Sequence, residues 1–434
     1  MAWEVDRAGG LGAHVPSFRV AKGAGPGWLG CERTQLVLVV GCLARWMPRP
    51  RLSNVTQVFV VGAGIGGLAA AVGLTRSGMT ATVAERAERP GPVGAGLTIQ
   101  PNAVIALDRL GVGEAVRAVA TQLRGVQICT RDGRVLAELD AADAAELQDE
   151  LGAPALGIHR ATLHEVLVES LPPGTVEFAR TVVGVVPGPD AVDVQFADGT
   201  TDSSDVVIGA DGLHSRVRAA LLGAGAPRYA GYFCWRGVTE WSAFPPGWSG
   251  EFWGPARRFG GCAIDGDRFY WFAVAAGPAG GSDPHGAHAA VTATFADFAA
   301  VVRKTIAKTE PEAVFRTDIS DRPPVSTWGS GRVTLLGDAA HAMTPNLGQG
   351  ACHAIEDALV LATHVGRLGP TTEALRAYEA QRIPRANTTV RTARRMGSIA
   401  QWSGPRAEAR NALLRATPRR VLRRQLAAAW TLPY

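Results

Sequence analysis

The chain has 434 residues, of which 47% are hydrophobic and 19% charged, a composition typical of a globular protein with about two or three domains. Its six cysteines are scattered without a C-x-x-C pair, which argues against a disulfide framework or a zinc site and suits the reducing cytoplasm. The net charge is +5, but no nucleic-acid-binding motif accompanies the basic residues and no apolar run is long enough to cross a bilayer, so we predict neither a nucleic-acid partner nor a membrane span.

The first 54 residues are rich in glycine and arginine and contain no periodic element. We predict that they form a disordered extension, or that they are absent from a mature chain that begins near Met47. A G-x-G-x-x-G spacing at 25–30 has Pro26 inside it, no strand before it and no acidic strand end after it, so we interpret it as chance. The apolar run 36–44 lies too far along the chain to favour a secretion signal.

The first predicted elements lie at 57–87, where a short apolar run predicts a buried parallel strand and an Ala/Leu-rich helix follows. Between them, Gly62, Gly64 and Gly67 have G-x-G-x-x-G spacing. Gly62 would make the tight turn, Gly64 would let a pyrophosphate approach the helix N-terminus, and Gly67 would let helix and strand pack closely. A second strand ends at Glu85, 23 residues after Gly62, where a carboxylate can accept hydrogen bonds from an adenosine ribose. A glycine-rich turn without a ligand is the alternative.

The same α/β domain continues to residue 225. Residues 159–171 have apolar side chains at helical spacing, and 175–208 predict a meander of short strands. Residues 205–218 combine a buried strand, the acid-glycine turn at Asp211 and a helix. We therefore assign residues 55–225 to the first part of a dinucleotide-binding domain.

Residues 226–325 predict a second domain inserted in the first. This segment holds five of the eleven tryptophans, in short apolar stretches that Gly, Pro or Asp interrupts, which predicts an antiparallel sheet. Its aromatic residues could form the core of that sheet or the binding wall for a flat apolar ligand, and the sequence leaves both open.

Residues 326–370 return to the first domain with a buried strand, a loop and a helix. Asp338, at the end of the strand, is well placed to accept from a ribityl or ribose hydroxyl. The run 347–350 opens the helix, whose free amides and positive dipole end can stabilise the anionic N1/C2=O edge of a reduced flavin. An ordinary loop before a helix is the alternative.

Residues 371–434 predict helices that are interrupted at Pro384, Pro405 and Pro418. Residues 382–434 contain 12 arginines and a single glutamate. A basic tail could meet an anionic membrane or nucleic acid, but we predict instead a solvated helix face that pairs with the acidic body of the chain.

Three stretches together resemble the single-component FAD-dependent aromatic hydroxylases, the group A enzymes of the para-hydroxybenzoate hydroxylase type. They are VVGAGIGG…ER at 60–86, DVVIGADGLHSRVR at 205–218 and GRVTLLGDAAHAMTPNLGQGACHAIEDALVLA at 331–362. The resemblance implies an α/β fold with a Rossmann-like FAD-binding domain of the glutathione reductase type, an inserted antiparallel-sheet substrate domain and C-terminal helices. It also implies FAD as cofactor and NAD(P)H as co-substrate, and the sequence does not distinguish NADH from NADPH.

The resemblance assigns cofactor roles by position. Arg160 is similar to the arginine near the flavin ribityl and pyrophosphate, Asp211 lies in the motif linked to FAD and NAD(P)H, and Asp338 is similar to the ribityl ligand. The positions that correspond to ADP-binding residues are Gly62, Gly64, Gly67, Glu85 and Arg86. The positions that correspond to the loop against the isoalloxazine ring are Pro345, Gly348, Gln349 and Gly350.

Within this family, YAGYFCWRGV at 229–238 and RRFG…DRFYWF at 257–272 are similar to the urate and salicylate hydroxylase subgroup. In urate hydroxylase an arginine and a tyrosine at the positions of Arg258 and Tyr270 belong to the substrate site. This chain has Cys234 and Arg236 where that enzyme has asparagines, so urate itself is not implied.

The implied reaction is hydroxylation of an aromatic or heteroaromatic small molecule by O₂ and NAD(P)H through a flavin C4a-hydroperoxide. Arg236, Arg258 and Tyr270 are our candidates for holding the substrate and favouring its phenolate form, although each could be structural. His341 could relay a proton or cap its helix. The alternatives are an alkene reductase or oxidase of the same fold, and a flavin-binding regulator without turnover. We expect a monomer or homodimer that uses no metal.

Overall fold

The computed structural model describes residues 57–89 and 95–434, which belong to one compact unit. The predicted extension 1–54, the start near Met47 and the glycine spacing at 25–30 lie outside the described residues.

The described strands form two large sheets and two small ones. In chain order they are β1 (Gln57–Val61), β2 (Thr80–Ala84), β3 (Gly96–Ile99), β4 (Thr121–Gln122), β5 (Val126–Thr130), β6 (Val135–Leu139), β7 (Leu156–His159), β8 (Val176–Glu177), β9 (Val182–Pro187), β10 (Val192–Phe196), β11 (Thr201–Ser204), β12 (Val206–Gly209), β13 (Arg228–Thr239), β14 (Ser249–Gly254), β15 (Arg257–Ala263), β16 (Phe269–Ala276), β17 (Phe315–Asp321) and β18 (Val333–Leu335).

The helices pack on these sheets and form the C-terminal region. In chain order they are α1 (Ile65–Arg76), α2 (Pro101–Arg109), α3 (Gly113–Val119), α4 (Ala141–Leu151), α5 (Arg160–Glu169), α6 (Arg216–Leu222), α7 (Ala287–Thr294), α8 (Ala300–Ala307), α9 (Asp338–His341), α10 (Gly350–Leu368), α11 (Thr372–Ala400), α12 (Gly404–Ala416) and α13 (Arg419–Trp430).

The first large sheet is parallel and has the strand order β18–β12–β1–β2–β8. Its central strands are apolar and almost entirely buried, because α1 and the three-stranded sheet β9–β11 both pack on the sheet, the latter through Phe196 against Phe59. The carboxyl ends of parallel strands meet at one edge of a sheet, and this edge is the usual ligand site of such folds. Gly62 follows β1, Glu85 follows β2, Asp211 closely follows β12 and Asp338 closely follows β18. The fold therefore brings four of the predicted cofactor positions to the same edge.

The second large sheet has the order β17–β13–β16–β15–β14–β5–β6 and has two chemically different faces. On one face, Trp235, Phe259 and Trp271 pack with Phe295 beneath α7 and α8 in an aromatic core. Side chains alternate along each strand, so the residues between these point to the opposite face, which we call the inner face. Sheet core is thus the role of the aromatic residues on the first face.

Two sequence predictions, one about the second sheet and one about the C-terminal helices, needed correction. The second sheet takes in β5 and β6 at 126–139, which the sequence placed in the first dinucleotide-binding part, because β5 pairs in parallel with β14. Helix α11 runs through Pro384 without the predicted interruption, because the buried side chain of Arg382 and the partly buried Arg385 bond to α10 on either side of the proline. Pro405 and Pro418 do mark the starts of α12 and α13 as predicted.

The basic C-terminal helix pairs with the acidic body of the chain, which confirms that part of the prediction, whereas Arg382 and Arg410 of the same basic segment are buried and not solvated. Arg419 of α13 lies 2.5 Å from Asp140 and 3.5 Å from Asp143, and Arg423 bonds to Glu146 of α4. In the part of the chain that the structure describes, no helix combines the length and apolar character needed to cross a membrane.

Candidate active site

In the glycine turn after β1, packing requires two of the glycines, and the third faces open space where a ligand could bind. A Cβ at Gly62 would lie 2.7 Å from the carbonyl oxygen of Ala210, and one at Gly67 would lie 2.0 Å from the carbonyl oxygen of Gly62. Gly62 also has a φ of +104°, which other residues rarely adopt. Nothing lies within 4 Å of a Cβ built at Gly64, which precedes the first residue of α1. The turn therefore needs Gly62 and Gly67 for its own packing and leaves open space at Gly64, where a phosphate would meet the helix N-terminus.

The predicted ribose-binding carboxylate is already oriented by the backbone. Glu85 accepts hydrogen bonds from the amide of Ala63 at 2.9 Å and from that of Ala87 at 3.0 Å. A carboxylate has about four acceptor positions, so two remain for ribose hydroxyls. The next residue, Arg86, is exposed at the edge of the same loop.

The acid-glycine turn is joined to the loop after β18. The Asp211 carboxylate accepts from the amide of Arg216 at 2.6 Å and so holds the N-terminus of α6. Arg218 of that helix is buried and donates to the carbonyl oxygens of Ala339 and Ala340, at 2.9 Å each. Arg218 was not predicted from the sequence, although it is the last residue of the stretch DVVIGADGLHSRVR. Asp211 thus supports the site's framework, and its contact with a cofactor stays a prediction.

The side chain of Asp338 is exposed. The surrounding protein nevertheless desolvates its carboxyl and so raises the pKa of that group, while the charges of His341 and Arg160 oppose the rise. Arg160 comes from α5, far away in sequence, and is itself exposed. A cleft that presents an accessible carboxylate near an accessible guanidinium fits the hydroxyl and phosphate groups of FAD.

The predicted isoalloxazine loop, residues 345–350, is shaped by one left-handed glycine. Gly348 has a φ of +64°, and a Cβ there would lie 2.9 Å from the hydroxyl oxygen of Thr98 on β3. Gln349 is buried, and its side-chain oxygen accepts from the Asn102 amide at 3.0 Å, so its side chain supports the loop from inside. Pro345 is exposed at the start of the loop and Gly350 begins α10.

Buried charges fix the helix that follows this loop. Arg382 of α11 is fully buried and donates to Asp357 at 2.6 Å and also to Glu356. Arg385 donates to Glu356 at 3.0 Å. Burial opposes ionisation of Glu356, but the two guanidinium groups outweigh it and lower its pKa to about 2. The ion pairs therefore hold α10, and with it the loop, against α11.

His341 belongs to the same network. Its Nε2 lies 2.6 Å from Asp357, and the same carboxylate oxygen accepts from the amide of Gly337 at 3.0 Å. The imidazole is buried, and through Asp357 it ties the end of α9 to α10, while the Gly337 amide ties the start. The relay and capping roles of His341 both stay predictions.

The three predicted substrate residues lie on the inner face of the second sheet. Arg236 donates from Nη1 to the hydroxyl oxygen of Tyr270 at 2.6 Å. Arg258 is 2% exposed, its Nη1 lies 3.1 Å from Glu251, and its Nη2 donates to the side-chain oxygen of Asn346 in the loop. The structure thus joins Arg236 to Tyr270 and places Arg258 against the 345–350 loop.

Tyr270 is linked to that loop indirectly, through β3. A Cβ at Gly96 would lie 2.4 Å from the Cβ of Tyr270, so this ring packs on β3. Two residues further along β3, Thr98 meets Gly348, and two residues of a strand span about 7 Å. The inner face therefore contacts the 345–350 loop at Arg258, and Tyr270 packs on the strand that borders the same loop.

Two residues of this interface were missed by the sequence analysis. Asn346 lies inside the quoted loop motif and could have been found there. Nothing in the sequence around Glu251 indicates a role for it, because only the pairing of β14 with β15 brings it to Arg258.

Comparison with known proteins assigns the chain to a class. The profile of the FAD binding domain family matches residues 55–393, and the chain belongs to this family. Aurachin C monooxygenase/isomerase from Stigmatella aurantiaca is 41% identical over 346 residues, 80% of this chain and 90% of that protein. FAD-dependent urate hydroxylase from Klebsiella pneumoniae is 37% identical over 348 residues, 79% of this chain and 90% of that protein.

A solved structure supports the same assignment. The structure of Klebsiella pneumoniae HpxO complexed with FAD and uric acid matches with a TM-score of 0.80 and 32% identity, over 86% of this chain and 96% of that one. The protein is an FAD-dependent monooxygenase that uses NAD(P)H as co-substrate. The relatives favour this assignment over a reductase or oxidase of the same fold.

Proposed function

We propose that the substrate is an aromatic or heteroaromatic small molecule held between the inner face of the second sheet and the 345–350 loop. The observation that carries this proposal is the hydrogen bond from Arg258 of the inner face to Asn346 of that loop, beside the packing of Tyr270 on β3, whose Thr98 meets Gly348. Relatives that act on a flat ring, such as urate hydroxylase, support it. The division into an FAD-binding domain, a substrate domain at 226–325 and a C-terminal region is part of the same proposal.

FAD would lie along the edge where the parallel strands end. Gly62, Gly64 and Glu85 would receive its ADP half, because the open space at Gly64 adjoins the positive end of α1. Asp338 and Arg160 would bond to its ribityl and pyrophosphate groups. The loop that follows would lie against the isoalloxazine ring, with Gly348 allowing the backbone to come close.

The protein's contribution to the chemistry is placement and control of protons. When bound and reduced by NAD(P)H, FAD supplies the two electrons with which O₂ gives one oxygen atom to the substrate and one to water. Desolvation raises the pKa of Tyr270 to about 12, against the opposing charge of Arg236, so its hydroxyl stays protonated and can donate to a substrate oxygen. The half-buried ring of Phe272 on the inner face would help to exclude water from the bound ring.

Location and assembly belong to the proposal as well. Cys129, Cys234, Cys262 and Cys352 are free and buried, which supports a reducing cytoplasm. We propose a monomer or homodimer that needs only small-molecule partners and O₂, and light scattering on the purified holoenzyme would measure its mass.

The experiment compares two tyrosines of the same sheet. Tyr270→Phe removes the inner-face hydroxyl, whereas Tyr229→Phe removes one that donates to the carbonyl of Gly277 at 2.8 Å. Aerobic NAD(P)H oxidation is measured with a panel of phenols, salicylates, quinolones and purines. For a ring that the enzyme hydroxylates, we expect kcat/KM to fall about tenfold or more in Tyr270→Phe and within about twofold in Tyr229→Phe. If the two substitutions change kcat/KM equally while the FAD content is unchanged, the substrate does not bind at the Tyr270 hydroxyl.

A further inference from the structure

Three carboxamide side chains lie together where α2 begins beside the 345–350 loop. Asn102 donates to the side-chain oxygen of Gln349 at 3.0 Å, and the side-chain nitrogen of Gln349 donates back at 3.4 Å, so these two carboxamides pair with each other. The third carboxamide, that of Gln100, is left outside this pair. Among residues 57–89 and 95–434, none forms a hydrogen bond with the Gln100 side chain.

The backbone of Gln100 is fully used, in contrast to its side chain. The amide of Gln100 donates to the sulfur of Cys352 at 3.4 Å, and its carbonyl oxygen accepts from the amide of Ala103 at 2.9 Å. Gln100 is the N-cap residue of α2, but its side chain makes no capping hydrogen bond. The side-chain nitrogen instead lies 3.5 Å from a Cβ built at Gly348, the left-handed glycine of the loop. The unpaired carboxamide is therefore directed at the 345–350 loop.

Burial makes an unpaired carboxamide unfavourable at this place. Gln100 is 9% exposed, and its side-chain oxygen is buried. Buried polar groups without a hydrogen-bond partner are rare in folded proteins, because they lose their bonds to water and gain none in return. Rotation by about 180° about the last side-chain bond exchanges the oxygen and the nitrogen, so either end can face the loop. The partner that is needed offers a donor and an acceptor side by side.

The pyrimidine end of the isoalloxazine ring offers this combination. Its N3–H is the N–H donor of the oxidised ring and lies between two carbonyl oxygens. A carboxamide can accept from N3–H and at the same time donate to one of those oxygens. The dimethylbenzene end has no polar atom, so the donor and the acceptor together specify which end of the ring meets Gln100.

We infer that Gln100 binds the pyrimidine end of the isoalloxazine ring, with its oxygen accepting from N3–H and its nitrogen donating to the adjacent carbonyl oxygen. This inference rests on the proposed placement of the ring against the 345–350 loop. Gln100 lies outside the three stretches of sequence that carry the family resemblance, so no motif indicates this role. The paired carboxamides of Asn102 and Gln349 hold the loop, and Gln100 fixes the orientation of the ring on it.

The test compares FAD with 3-methyl-FAD, in which a methyl group replaces the N3 hydrogen. Both are titrated into the full chain freed of its cofactor, and binding is followed by flavin fluorescence. We expect the wild type to bind FAD about tenfold more tightly than 3-methyl-FAD, because the methyl group removes the donor for a buried oxygen. Gln100→Met, similar in size but without the amide, should weaken FAD binding by a similar factor and reduce the preference to within about twofold. Gln100→Glu keeps an accepting oxygen and should retain part of the preference.

The matched control is Gln127→Met on β5. Both ends of the Gln127 carboxamide are paired, since its oxygen accepts from the indole of Trp248 at 3.0 Å and its nitrogen donates to Glu138. This variant also loses a carboxamide, but one on the second sheet. Its affinities for both flavins should stay within about twofold of the wild type.

The outcomes separate this inference from the proposed function. If the wild type binds both flavins equally, or if the preference survives in Gln100→Met, N3–H does not bond to Gln100 and the inference is wrong. Gln100→Ala takes the place of the methionine variant if that variant does not fold. Either of these results leaves the monooxygenase proposal standing, because FAD still binds. A preference that depends on Gln100, in a protein that oxygenates none of the aromatic panel, would instead support the inference and contradict the proposed function.

Discussion

Arg258 on the second sheet donates a hydrogen bond to the side-chain oxygen of Asn346 in the 345–350 loop, so side chains join the proposed substrate face to the loop predicted to face the flavin. Asn346 in turn donates to the hydroxyl of Tyr232 at 2.8 Å and to the carbonyl of Ala393 at 3.0 Å. The loop is therefore held by the sheet on one side and by α11 on the other.

Removing this connection should loosen the loop without emptying the cofactor site. For Asn346→Ala we expect normal FAD content and a larger share of NAD(P)H oxidation that ends in hydrogen peroxide, because a less fixed loop admits water. Peroxide and product are measured per NAD(P)H consumed. Asn387→Ala is the control, since this buried asparagine donates instead to the carbonyl of Val325. Peroxide yields that rise equally in both variants would show a general loss of stability and contradict the connection.

The glycine turn predicts two different defects from the same type of substitution. Gly67→Ala places a Cβ 2.0 Å from a backbone oxygen and should lower the free energy of unfolding of the apoprotein by at least about 2 kcal/mol. Gly64→Ala meets no atom within 4 Å and should leave the apoprotein within about 0.5 kcal/mol of wild type, but weaken FAD binding about tenfold or more. Chemical denaturation and FAD titration measure the two effects. Unchanged FAD affinity in Gly64→Ala would show that the pyrophosphate does not bind at this turn.

The buried histidine next to Arg382 predicts a pH-dependent stability. Desolvation, together with the charge of Arg382, lowers the pKa of His353 to about 3, well below the value of about 6.5 in an unfolded chain. As pH falls below 6.5 the unfolded state binds a proton that the folded state does not, so stability present at neutral pH is lost on acidification. Between pH 6.5 and 5 this loss is about 2 kcal/mol.

Denaturation of the protein at pH 7, 6 and 5 measures this slope. His353→Gln removes the titrating group, so its stability should change less over the same range, whereas His364→Gln, at a partly exposed histidine bonded to Gln381, should keep the wild-type slope. Equal slopes in the wild type and in His353→Gln would show that the imidazole is not held neutral.

Local sequence patterns were enough to predict that most of the candidate cofactor residues follow strands of one sheet. The glycines, Glu85, Asp211 and Asp338 each follow a strand within a few residues, so spacing along the chain determines where they lie. The contacts that the sequence did not reveal join distant segments: Arg218 bonds to Ala339 across 121 residues, and Asn102 to Glu356 across 254. Such contacts depend on how the sheets pack, and the spacing of residues along the chain does not indicate that packing.

The substrate side shows the same limit. Arg236, Arg258 and Tyr270 were named from the sequence, and strand alternation places all three on one face. The neutralisation of Arg258 by Glu251 depends on the pairing of two strands, and the course of α11 through Pro384 depends on ion pairs made by Arg382 and Arg385. Both are tertiary effects that override local signals.

The most direct test of the central claim is mass spectrometry of the product formed by the holoenzyme under ¹⁸O₂ with NAD(P)H and the aromatic panel. We predict that a ring that accelerates NAD(P)H oxidation gains a single ¹⁸O atom, with little peroxide released. A product that gains or loses only hydrogen, or FAD-bound protein that oxygenates none of the rings, would contradict the account.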